Sequence, residues 1–317
     1  MLVRMLVWTS LGLGLWGCLQ EGRPPDQAEV PGEDTLAVVT QDSTADPEGL
    51  QAPVSVLPEY GPIRSPAAIG WQELDTGLDY AEVVAPIPCS IGPSTFDILR
   101  IDPKYYALDL INAGQLEDYS QTVAAYARQF GLLAAFNAGM YQRDGKTSTG
   151  FLQDTSYTNN PNLNTKYKTI LAFNPKVSAV PPVRLIDLDC DDWAALKTQY
   201  HSFTQCIRMV SCTQQNVWSR QNRRWSMICV GLDAKGRLLF AFTRSPYSVY
   251  DFIHQLQLLP LGLQQAMYLE GGPEASFFLH AGGRTIEKMG SYETGFWEND
   301  SNDQFWAIPN IIGIRKR

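Results

Sequence analysis

The stretch Met267-Tyr-Leu-Glu-Gly-Gly-Pro-Glu-Ala-Ser-Phe-Phe278 constrains the fold more than any other, because an apolar run stops at a carboxylate, two glycines and a proline. Residues 263–269 read as a strand arriving from a buried sheet. Gly271 and Gly272 allow positive φ and a close approach of backbone to a ligand, and Pro273 ends strand pairing by removing a donor. Successive glycine amides can form an anion nest beside Glu270, a carboxylate able to act as a base or to stabilise positive charge. The same residues also suit a tight turn carrying a solvated Glu.

A second break of this kind is Phe136-Asn-Ala-Gly-Met-Tyr141, which runs on to Gly150. Asn137 can donate and accept at once, Gly139 gives freedom to the turn, Tyr141 offers a stacking face for a sugar, and Gly150 exposes amides. Asp144 lies in an Arg-Asp-Gly setting that reads as a turn first.

The intervening chain predicts strands at 80–84, 96–101, 105–111, 132–136, 169–173, 225–231, 238–242 and 308–314. Asp102-Pro103-Lys104 is expected to turn a hairpin between the second and third of these, and Asp233-Ala-Lys-Gly236 another. Helices are expected at 122–131, ending at Gly131, and at 249–259. Residues 159–165 read as a polar loop. The four aspartates of 187–197 read as a capped helix start, since calcium loops need ordered spacing and a closing Glu. The expected fold class is α+β, a mixed, largely antiparallel twisted sheet flanked by helices in a single domain.

Met1–Met5 carries a positive charge and precedes a short apolar run that ends at Leu15-Trp-Gly-Cys18. That is an export signal, too short to span a membrane. Its end resembles a bacterial lipobox, which implies cleavage after residue 17, lipidation of Cys18 and anchoring at the outer membrane or in the periplasm. Residues 18–66 are acidic, rich in Pro, and free of aromatics before Tyr60, so they read as a flexible tether. The folded domain is expected over 67–317. The 44% hydrophobic content supports a sizeable core, and a net charge of −8 gives no electrostatic basis for a nucleic-acid partner. An exported chain permits disulfides among Cys89, Cys190, Cys206, Cys212 and Cys229, and the closest pair in sequence, Cys206 and Cys212, is the expected bridge. Three histidines without paired spacing leave no zinc site, so no metal or other cofactor is expected, and no Gly-x-Ser-x-Gly elbow suggests a serine nucleophile.

Taken in order, Phe136-Asn-Ala-Gly-Met-Tyr141, Gly150-Phe-Leu152, Arg208-Met-Val210, Trp225-Ser-Met-Ile-Cys-Val-Gly231, Tyr250-Asp-Phe252 and Met267 to Ser276 resemble the phosphodiester glycosidase domain family over about residues 96–314. The resemblance implies an exported hydrolase of glycosyl-1-phosphate linkages in envelope or extracellular polysaccharide. Its alternative is a carbohydrate-binding lipoprotein without turnover. It implies Glu270, Asn137 and Arg224 as catalytic, and Gly139, Tyr141, Gly150, Arg208, Ser245, Gly271, Gly272 and Ser276 as substrate-binding, with phosphate held by glycine amides and an arginine. Arg223 offers the same donors as its neighbour Arg224, and the choice between them stays open. Where the family pattern has Asp, this chain has Glu270, whose extra methylene moves the carboxylate by roughly 1 to 1.5 Å.

Overall fold

A computed structural model describes residues 57–155 and 157–317. The signal, the lipidation site at Cys18 and most of the tether lie outside the described residues. Residues 57–66, assigned to the tether from composition, lie along the domain: Tyr60 bridges to Cys89, and the Gly61 and Arg64 amides donate to Pro88 and Pro86.

In chain order the elements are β1 (Gln72–Asp75), β2 (Leu78–Val84), β3 (Thr95–Ile101), β4 (Tyr106–Asn112), α1 (Val123–Phe130), β5 (Ala134–Asn137), β6 (Leu152–Asp154) and β7 (Tyr157–Asn160). Then come β8 (Lys168–Pro175), β9 (Val183–Asp187), α2 (Trp193–Lys197), β10 (Tyr200–Val210), β11 (Trp225–Asp233) and β12 (Leu238–Tyr247). The chain ends with α3 (Val249–Leu258), β13 (Leu263–Gly271), a 3-10 turn (Gly272–Glu274), β14 (Ser276–Ala281), β15 (Arg284–Met289) and β16 (Asn310–Lys316). An 11-stranded sheet runs β1-β2-β3-β12-β11-β13-β10-β6-β7, with β8 on β10 and β9 on β8; a 5-stranded sheet runs β15-β14-β5-β16-β4.

Every strand pairing among the described residues is antiparallel, so the expected mixed sheet is not what forms. Helices are fewer and shorter than the α+β expectation implies. Thr122 caps α1 through its side chain to the Ala125 amide, and Gly131 closes it in the left-handed conformation at φ 62°. Val123, Ala124, Tyr126 and Ala127 then pack α1 onto the smaller sheet with Ile111, Leu132, Phe278 and Ile311. Ser248 caps α3 and Asp192 caps α2, as the aspartate-rich segment suggests.

The sheets face each other across an aromatic layer. Phe136 of β5 stacks on Phe240 of β12 at 4.0 Å between centroids, and Phe277 of β14 meets Phe136 at 5.1 Å and Phe242 at 6.4 Å. Truncating a fully buried ring such as Phe136 costs about 3–5 kcal/mol. This layer fixes how the two sheets meet, and the candidate site lies at their junction.

Asp102-Pro103-Lys104 reverses the chain without making a hairpin. β3 pairs with β2 and β12 in the larger sheet, while β4 pairs with β16 in the smaller. Both strands are buried on both faces, so neither carries the alternation that would name a partner. The expected loop at 159–165 begins two residues late, because Asn159 and Asn160 belong to β7. The disulfide joins Cys190 to Cys212, not Cys206 to Cys212, and Cys89, Cys206 and Cys229 are free and buried. Cys206 sits inside β10 with its side chain turned toward the Leu269 carbonyl, whereas Cys212 follows β10 and meets the turn after β9. Spatial neighbours outrank sequence neighbours here because β8 and β9 fold back beside β10.

Candidate active site

β13 carries the chain through the larger sheet between β11 and β10, and β14 resumes in the smaller one. The Glu-Gly-Gly-Pro stretch is therefore the passage between sheets. Gly271 continues the extended backbone but has no room for a side chain, since a Cβ there would run into the Tyr268 hydroxyl and the Trp225 indole. Gly272 turns at φ +65°, and a Cβ on it would lie 2.5 Å from Glu293 Oε2 and 3.4 Å from Glu274 Oε2.

Three carboxylates thus gather at the passage: Glu270, Glu274 and Glu293. Burial pushes Glu270 well above the usual carboxylate range, with the Glu274 and Glu293 charges adding to the effect and the Gly271 amide, 3.1 Å from Oε1, opposing it. Burial first and Glu293 second push Glu274 up to about 7. Glu293 is raised by burial, and the Arg223 guanidinium, 3.8 Å away, pulls it back. The pair Glu293–Arg223 is consequently where negative charge is best tolerated.

Tyrosine hydroxyls surround the group. Tyr141 and Tyr268 are raised chiefly by burial and then by the Glu270 charge, and Tyr167 is pushed up to about 12, chiefly by burial. All three remain protonated donors at neutral pH.

The second glycine break supplies the opposite wall. Asn137, at the end of β5, accepts from the Ser276 amide at 2.8 Å and donates from Nδ2 to the Glu274 carbonyl at 3.0 Å. Its amide clamps the 3-10 turn. The Ser276 hydroxyl is likewise spent on the Glu274 carbonyl at 2.8 Å. Gly139, at φ +115°, lets the turn pass over β10, where the Thr204 hydroxyl donates to the Ala138 carbonyl. Gly150 packs against the Gln205 carbonyl on the same strand, too close for a Cβ.

The structure therefore brings Glu270, Asn137, Tyr141, Gly139, Gly271, Gly272 and Ser276 to one junction. It places three expected residues elsewhere. Arg208 is held by Asp187 at 2.6 Å and Asp189 at 2.9 Å. Ser245 Oγ accepts from the Ser94 amide at 2.8 Å with Gly92 against it. Arg224 lies over the Tyr60 ring, and it is Arg223 that approaches the carboxylates. Asp144 forms the turn expected of it, accepting from Lys146 and Thr147 amides. Glu274, Glu293, Tyr167 and Tyr268 were not singled out in the sequence. Glu274 lies within the constraining stretch itself, whereas Glu293 has no local signal and arrives through its bridge to Trp225.

Asp187, Cys190 and Cys212 place ligand-type atoms within 4.8 Å of one another. Both sulfurs are consumed by the disulfide, and Asp187 is consumed by Arg208 and the Cys212 amide, so the group is structural.

No curated protein matches the chain. Among solved structures, the fold is similar to that of a hypothetical protein from Synechocystis, at 12% identity and TM-score 0.55 over 79% of this chain. The match spans 64% of that protein's length. The fold is also similar to the zebrafish N-acetylglucosamine-1-phosphodiester alpha-N-acetylglucosaminidase catalytic domain, auto-inhibited by its pro-peptide, at 12% identity and TM-score 0.52 over 83% of this chain and 89% of that one. The phosphodiester glycosidase family model matches residues 130–315, which contain all three carboxylates and both glycine breaks, and the chain belongs to that family.

Proposed function

We propose that the chain hydrolyses glycosyl-1-phosphate linkages of envelope or extracellular polysaccharide, at the junction of the two sheets. The observation that carries the reading is three carboxylates of unequal proton affinity gathered with one arginine. Such inequality assigns different tasks to chemically identical groups.

Water adds to the anomeric carbon as the bond from that carbon to the phosphate oxygen breaks, and a phosphate monoester leaves. The leaving phosphate is already a weak base, so the demand for an acid is low. In this reading Glu270, whose proton burial favours, donates a hydrogen bond to a phosphate oxygen in place of the base or charge-stabilising role its position in the sequence offered. Glu274, near 7, takes the proton from the attacking water. Glu293, raised by burial but pulled back by the Arg223 guanidinium, is the carboxylate assigned to stabilise the positive charge that develops on the sugar. A protonated Glu270 also lets an anionic substrate approach a cluster that would repel it if fully ionised.

The test is turnover of a defined glycosyl phosphodiester by the purified protein and by Glu270→Gln and Glu274→Gln. Turnover is expected in the parent and should fall about 10²- to 10⁴-fold in Glu274→Gln. Saturable binding of the substrate with no turnover in the parent would favour the carbohydrate-binding reading. For export, the proposal is that Cys18 becomes a lipidated N-terminus, and mass spectrometry of the N-terminal peptide from membranes reads this directly.

A further inference from the structure

Arg223 and Arg224 leave the entry to β11 in different directions. Arg223 lies over Trp225 and approaches Glu293, while the Arg224 guanidinium lies 3.8 Å from the centroid of the Tyr60 ring. Arg224 has no carboxylate within ion-pair distance among the described residues, and its Nε and Nη1 are buried without an acceptor. Gln221 Nε2 is buried without an acceptor as well. With Tyr60, Arg220, Asn222 and Asp251, these two residues line a cavity of about 370 Å³.

The charge in this cavity does not balance. Two guanidinium groups face one carboxylate, and Asp251 is engaged by the Ser248 hydroxyl at 2.6 Å and lies 3.9 Å from Arg220. A shielded cation and a shielded amide donor without partners are costly, and both lack the same thing, a negatively charged acceptor. Stacking on Tyr60 fixes the guanidinium plane, which pre-orders a fork of donors suited to a tetrahedral oxyanion. The volume falls in the range of small-ligand sites, large enough for a phosphate with a sugar attached.

We propose that this cavity is an oxyanion site that takes the phosphate group of a sugar phosphate, separate from the carboxylate centre. The charges acting on the three carboxylates are one another and Arg223, whereas Arg224 acts on Tyr60 and Cys89. Tyr60, one wall of the cavity, lies outside the residues 130–315 that the family model matches, while the other lining residues lie within them.

Titration calorimetry of the full chain with inorganic phosphate and with glucose 1-phosphate at pH 8 tests this, because ionised Glu274 then disfavours anions at the other centre. Saturable binding of both is expected, tighter for glucose 1-phosphate, and weakened at least tenfold in Arg224→Ala. Arg220→Ala alters a side chain that is 77% exposed, so it leaves folding intact, and it should weaken binding several-fold. Unchanged affinity in both variants, with both shown by melting to be folded, overturns the site. Equal affinity for the two ligands overturns the sugar. Turnover plays no part in this measurement, so its result stands apart from the fate of the hydrolase reading.

Discussion

Glu274 is the residue at which pH enters the behaviour of the protein. Its carboxyl is raised from the ordinary range to about 7, so the folded state holds a proton that the unfolded chain releases near 4.5. The stabilisation linked to that proton is complete below about 4.5 and is lost as pH rises through about 7, because the unfolded state binds fewer protons across this window. Glu270 and Glu293, both raised, add in the same direction. Glu274→Gln removes the penalty for ionising a buried acid and should stabilise the protein at pH 8 by about 1–3 kcal/mol, with little gain at pH 4.5. Thermal melts of parent and variant at the two pH values check this, and an equal gain at both would remove the role of the proton. In activity the sign is opposite: as the proposed base, Glu274 should make kcat/KM rise about tenfold per pH unit below 7 and level off above it. Part of this was legible from residues alone. Glu270 stood out because an apolar run ended on it, and Tyr141 because it followed a glycine break. Glu293 did not, since its neighbours along the chain are unremarkable and only its pairing with Trp225 brings it to the site.

The passage from β13 to β14 is the element on which the carboxylates depend. Two features hold it: the positive φ of Gly272 and the two hydrogen bonds from the Asn137 side chain. Gly272→Ala must accept a strained φ and displace Glu293, so it should cost at least 1–2 kcal/mol and depress turnover more than it changes substrate affinity. Asn137→Ala leaves the Ser276 amide without its side-chain acceptor and removes one of the two donors to the Glu274 carbonyl, whose other donor is the Ser276 hydroxyl, a loss of about 1–3 kcal/mol by denaturant unfolding. If Asn137 touched substrate instead, its loss would raise KM without this destabilisation. Strands such as β2, β3, β12 and β13 were legible because β-branched and aromatic residues cluster between turn signals. The eleven residues of β10 were not, and Arg208-Met-Val210 at its end stood out only through the family resemblance. That strand is buried on both faces over most of its length, and continuous burial erases the alternation that marks a strand. The β14–β15 hairpin has a readable sign in Gly282-Gly283, both at positive φ as a two-residue turn requires.

For the whole molecule, the question is what closes the part of the larger sheet that lies beyond β10. β8 pairs with β10 and β9 pairs only with β8, so β9 ends the sheet there and is exposed to fraying. The Cys190–Cys212 bridge ties the turn after β9 to the end of β10 across 22 residues, and Asp187 reinforces the tie through Arg208 and the Cys212 amide. Closing a loop of this length is worth about 3 kcal/mol, chiefly by restricting the unfolded chain. Replacing both cysteines by serine should therefore lower Tm by roughly 5–10 °C. Turnover at 25 °C should survive, because none of the three carboxylates touches this edge. Cys206 and Cys229 give the control: burial pushes both thiols up to about 12, which leaves them poor nucleophiles in the folded state. An alkylating reagent should reach them only on unfolding, and in the double-serine variant it should do so at a correspondingly lower temperature. If the melting temperature stays at the parental value while labelling is unchanged, the bridge contributes nothing to the fold, and the Arg208–Asp187 pair alone secures the edge.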